Sequence, residues 1–141
     1  FVEDPEQALL MGKSMAAGYY EYSPMLMNNL AMEWQGPHPD VIKETKKIWP
    51  DFHHSTDLLT SGKAVDFLTE DQARAFCLMG NAKSIANQIV LLLKDANALD
   101  IDFEYVVLHP IPNPPEPDTG PRSFLERVPT EIISEVKRLL K

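Results

Sequence analysis

This chain has one cysteine, few basic residues and no long apolar run, and each shortage excludes something. The lone Cys77 rules out an intramolecular disulfide, so a reducing cytoplasmic setting is the expectation. Thirteen basic residues stand against 21 acidic ones, a net charge of −8. That balance argues against nucleic-acid partners, whose phosphates demand clustered Lys and Arg. Apolar runs such as Ile89–Leu93 are far too short to cross a bilayer, so no membrane partner is expected. Signal-peptide and lipidation patterns are not seen in the sequence either. What remains is ordinary globular composition, 44% hydrophobic and 24% charged, enough for one domain with a real core.

Helix signals dominate the first half. Asp4 is placed to cap a helix that carries Pro5 in its first turn and Gln7 in capping-box position. Ala8, Met11, Met15, Tyr19 and Tyr22 would form its apolar stripe. Ser23-Pro24 opens a second helix reaching about Trp34. Pro39 opens a third, with Val41, Ile42 and Ile48 inward and Pro50 as its stop. Residues 51–68 read as a broken helix followed by a turn at Ser61-Gly62. Thr69 with Gln72 makes a further capping box.

The second half carries β signals. Phe76–Met79 is a short apolar stretch broken by Gly80. Asn81 can cap a helix with Ile85, Ile89, Leu92, Ala96 and Leu99 at helical spacing. Phe103–Leu108 is rich in aromatic and β-branched residues. Strand, glycine turn, helix and strand make a βαβ unit with parallel strands, and Phe1-Val2 reads as the tail of another. Such a sheet places ligands at the carboxyl ends of its strands. Residues 109–121 hold six of the twelve prolines and read as an extended functional loop, and a last helix covers about 129–140. Two or three parallel strands cannot shield their own edges, so further strands are expected upstream of Phe1.

The segments Phe1–Ala8, Gly80–Ala86, Phe103–Pro110 and Phe124–Leu140, in that order, resemble the sixth-to-eighth strand region of luciferase-like monooxygenases. Gly80-Asn81-Ala82-Lys83-Ser84-Ile85-Ala86 is similar to that family's Gly-[Ser/Thr]-Pro-Glu-Glu-Val-Ala signature, departing from it at 81–83. The resemblance is greatest to the coenzyme F420-dependent branch, which includes methylenetetrahydromethanopterin reductases. It implies an α/β fold: the C-terminal part of a (β/α)8 TIM barrel, helix-rich, residues 1–141 forming one segment of a single domain. It implies an F420-dependent oxidoreductase moving a hydride between the deazaflavin and a small organic substrate, in a homo-oligomer. FMN-dependent monooxygenase chemistry is the alternative within the family. A non-catalytic oligomeric interaction domain is the alternative outside it.

Four residues are candidates. Gly80 and Asn81, at a helix N-terminus, would touch the cofactor, because unpaired amides there favour an anion. His109 directly follows the last strand, where a group titrating near neutrality could orient substrate or shuttle a proton. Arg122 ends the proline-rich loop, and the resemblance gives it an anionic part of the substrate. No catalytic acid or base is identified. His53 and His54, near Asp51 and Asp57, invite a metal reading. Neighbouring histidines diverge on a helix and no further spaced ligand follows, so no metal is assigned. Cys77 is read as an inert core thiol. Gly12-Lys13-Ser14 lacks the upstream glycine and strand of a phosphate loop.

Overall fold

A computed structural model describes residues 1–111 and 121–141, with backbone alone over 121–123. Asp4 begins the architecture: its carboxylate accepts the Glu6 amide at 2.8 Å and the Gln7 amide at 3.3 Å, satisfying donors that no helical carbonyl can reach. The helix so started, α1, runs Pro5–Tyr22. Gln7 meets the Asp4 side chain instead of closing a box onto its backbone. Helices α2 (Pro24–Asn29), α3 (Pro39–Lys46), α4 (Leu58–Ala64) and α5 (Glu70–Phe76) follow. The α5 capping box is complete, Thr69 and Gln72 each satisfying the other's amide. Asn81 accepts the Ser84 amide at 2.9 Å and starts α6 (Ala82–Ala98). The chain closes with α7 (Pro121–Arg127), a π-helical segment Val128–Ile133 and α8 (Ser134–Leu139).

Small residues on α1 (Gly12, Ser14, Ala16, Ala17) let α4 and α5 pack closely across it. Where α1 meets α4, the Ser14 and Ser61 hydroxyls lie 2.8 Å apart and share the Phe52 carbonyl. Ala16 and Ala17 then join Met27, Ile42, Ile48, Phe52, Val65 and Leu68 in one core. Trp34 closes its edge, stacked on Tyr20 at 4.4 Å and edge-on to Phe67 at 4.9 Å. A second cluster joins Val2, Ala8, Met11, Leu58, Ala73 and Met79. A third joins Ile85, Ala86 and Ile89 of α6 to Val128 and Ile132.

The expected α/β architecture is overturned. Among the described residues there is no strand, so the chain is not a (β/α)8 barrel segment with two or three parallel strands. Cys77–Met79 and 103–108 carry no regular secondary structure, and a strand exists only through hydrogen bonds to a neighbour. Phe1-Val2 is linked to the Gly80 turn, where the Val2 amide donates to the Gly80 carbonyl at 3.0 Å. β-propensity at 103–108 thus finds no strand partner among the described residues, and Tyr105 and Val107 stand 74% and 75% exposed.

Other expectations shift in detail. α2 ends at Asn29, with Ala31 at a positive φ just beyond it, well short of Trp34. Ser61 and Gly62 lie inside α4, not in a turn. Ile42 and Ile48 are buried as expected, whereas Val41, Leu92 and Leu99 face outward. The last helical stretch begins at Pro121, earlier than its periodicity indicated. Most of the proline-rich segment 109–121 lies outside the described residues. No helix among the described residues is long and apolar enough to cross a membrane.

Candidate functional site

Gly80 occupies a conformation with φ +116°, which L side chains rarely adopt, and so turns the chain from 77–79 into α6. The turn is braced by Gln88, whose amide group donates to the Met79 carbonyl at 2.8 Å and whose oxygen accepts the Met79 amide. Beside it opens a cleft of about 460 Å³, walled by Glu3, Glu6, Glu70, Arg74, Gly80, Asn81 and Ser84, among others. The Asn81 side chain is committed to its cap, and Arg74 is paired with Glu70 at 2.6 Å. Of its three carboxylates, Glu70 is paired with Arg74 and Glu3 lies 3.3 Å from the Arg127 guanidinium, which leaves the wall only weakly acidic.

His109 is exposed, set between Leu108, which packs against the α6 cluster, and Ile111, which packs against Val2 and its neighbours. It is absent from the residues lining the cleft beside Gly80. The side chain of Arg122 lies outside the described residues. Cys77 is largely buried, and desolvation pushes its thiol up to about 11, in keeping with an inert core group.

The densest gathering of chemistry lies elsewhere, in the turn at residues 51–54. Asp51 is buried there, and its carboxylate accepts the His54 amide at 2.8 Å and the Tyr22 hydroxyl at 3.0 Å. His54 Nδ1 lies 2.8 Å from Asp51 Oδ2, and His53 Nδ1 lies 3.2 Å from Oδ1. The two imidazoles are 3.9 Å apart at their centroids. His53 also stacks on Tyr19 at 5.8 Å and meets Tyr22 edge-on at 5.6 Å. Gly18 makes room for this ring, since a Cβ there would fall 1.9 Å from His53 Nδ1. The premise that set the metal reading aside therefore fails. Residues 51–54 form a turn rather than a helix, so neighbouring histidines converge on one carboxylate instead of diverging. No family model, curated protein or solved structure matches this chain.

Charge completes the picture. Burial pushes the Asp51 carboxyl up, but the His54 side chain and amide, the Tyr22 hydroxyl and His53 outweigh it, and its pKa lies below the ordinary value. Burial, together with His54, lowers the pKa of His53 despite the pull of Asp51 and Glu21. The hydrogen bond to Asp51 raises Tyr22. At neutral pH Asp51 is therefore an anion beside a neutral His53. Glu21 adds a second carboxylate near His53, one oxygen paired with Lys43 and the other, Oε2, buried without a hydrogen-bond partner. Sequence reading noted Asp51, His53 and His54 but missed Tyr22 and Glu21 as their neighbours. Only the packing of α1 over the turn brings these together.

Proposed function

We propose that the chain serves a cytoplasmic coenzyme F420-dependent oxidoreductase of the luciferase-like kind, which exchanges a hydride between the deazaflavin and an organic substrate. The observation that supports it is the Val2–Gly80 hydrogen bond. It draws together, at the start of α6, the Phe1–Ala8 and Gly80–Ala86 segments that carry the family resemblance. This cleft would meet only part of the cofactor, since the Asn81 side chain is committed to its cap and the wall carries Glu3, Glu6 and Glu70. No hydride step is therefore built on these residues. Gly80 and Asn81 are assigned a peripheral contact, and His109 and Arg122 remain the substrate-side candidates. The test is fluorescence titration of the purified protein with F420, with FMN in parallel. Saturable F420 binding is expected. FMN binding alone would favour the monooxygenase alternative, and binding of neither refutes both.

One observation favours the second reading, a non-catalytic domain that assembles with its own copies. Leu99, Ile101, Phe103, Tyr105, Val106 and Val107 are exposed apolar residues close together in the chain, interleaved with Asp100, Asp102 and Glu104, and exposed apolar surface marks association sites. Sedimentation equilibrium separates the two. Concentration-dependent association without uptake of either cofactor would select the interaction domain, and a cofactor-binding monomer would dismiss it.

A further inference from the structure

We propose that Asp51, His53 and His54 form a binding site for one divalent cation of the borderline class, of which Zn²⁺ is the type. Each offers one ligand atom, and the three atoms all lie within 4.8 Å of one another. With Asp51 Oδ1 as the carboxylate ligand, His53 Nδ1 lies 3.2 Å and His54 Nδ1 3.1 Å from it. Ligands about 2.0–2.1 Å from a tetrahedral metal lie roughly 3.3 Å apart, so the spacing needs only small adjustment. Two imidazoles and a carboxylate suit zinc, cobalt or nickel better than calcium or magnesium, which prefer oxygen throughout.

An ordinary hydrogen bond accounts for His54 against Asp51 but not for His53. Its Nδ1 is buried and makes no hydrogen bond, although Asp51 Oδ1 lies 3.2 Å away. Buried polar atoms are nearly always satisfied, and a cation between the two would satisfy this one. Around these ligands, the Tyr22 hydroxyl donates to Asp51 Oδ2 and fixes the carboxylate, while Tyr19 and Tyr22 hold the His53 ring. Glu21 supplies further negative charge, partly balanced by Lys43. His54 is half exposed, which gives the cation a path in and leaves its remaining positions to water.

The experiment is a titration of the chelator-treated protein with ZnCl2 by calorimetry, and with CoCl2 by visible absorption. One saturable equivalent is expected, with cobalt giving the intense ligand-field bands of four-coordinate geometry. His54→Gln, at the exposed ligand, abolishes the cobalt bands without disturbing the fold. Tyr22→Phe weakens zinc by about tenfold, through loss of carboxylate orientation. Changing the other two histidines, His38 and His109, leaves binding intact. His53→Ala is the direct ligand deletion, and circular dichroism checks its folding. If it unfolds, His54→Gln alone decides. Failure of zinc and cobalt to bind overturns the proposal, as does cobalt binding that survives His54→Gln. F420 binding plays no part in this readout, so the two proposals stand or fall separately.

Discussion

Replacing Gly62 by Ala tests the packing logic of the whole helical body. Gly62 lies in α4 where that helix crosses α1, and an added Cβ would sit 2.0 Å from the Leu10 carbonyl oxygen, 2.6 Å from its carbon and 2.9 Å from Cα. These are backbone atoms, so no side chain can swing aside. Ordinary contact begins near 3.4 Å, and the helices must part by about 1.4 Å, the difference between 3.4 and 2.0. Overpacking of this kind costs about 1–3 kcal/mol. The same separation breaks the Ser14–Ser61–Phe52 network, in which the hydroxyls are 2.8 Å apart, and stranding buried polar groups costs a further ~1–3 kcal/mol. Alanine's better helix propensity returns only about 1 kcal/mol. The net loss is about 3 kcal/mol, which for a chain of this size lowers Tm by roughly 10 °C. Urea and thermal unfolding, followed by far-ultraviolet circular dichroism, measure it. A Gly62→Ala protein within about 0.5 kcal/mol of the parent refutes the close α1–α4 crossing.

Two further outcomes follow from the titrating groups. Because burial depresses the His53 pKa below its ordinary 6.5, the unfolded chain takes up that proton first on acidification. The metal-free protein should therefore lose stability as pH falls below 6.5, and His53→Gln should flatten that slope. Asp51, also depressed, contributes above its ordinary 3.8 and loses that contribution as pH falls through its lower folded value. Urea midpoints measured from pH 8 to pH 3 check both, and a flat profile between pH 7 and 5 contradicts the buried neutral His53. Cys77, with its thiol pushed from 9.0 to about 11, should react with iodoacetamide at pH 8 about a hundredfold more slowly folded than in urea, and equal rates would contradict its burial.

Local chemistry made the helix starts legible from sequence. Asp4 before Pro5, Thr69 with Gln72, and Asn81 each satisfy amides within three residues, so the information they need is in their immediate neighbours. The α6 stripe was legible for the same reason at Ile85 and Ile89. Whether Leu92 and Leu99 were covered was not, because that depends on which residues from elsewhere arrive. Non-local pairing decided the β question. Residues 103–108 are rich in strand-favouring side chains, yet a strand is a relation between two segments, and among the described residues none pairs with them in a ladder.

The same division runs through the candidate site. Asp51, His53 and His54 could be noticed in the sequence, but their convergence depends on a turn whose shape is set by Phe52 anchoring in the core and α1 lying across it. Gly62 looked like a turn residue, and the absence of its side chain instead serves a helix crossing. Sequence by itself determined the starts of α1, α2, α3, α5 and α6 and the acidic charge, because these follow from neighbouring atoms and composition. Tertiary structure alone decided which apolar residues are covered, whether extended segments become strands, and which polar groups meet, because each of those requires a partner distant in the chain.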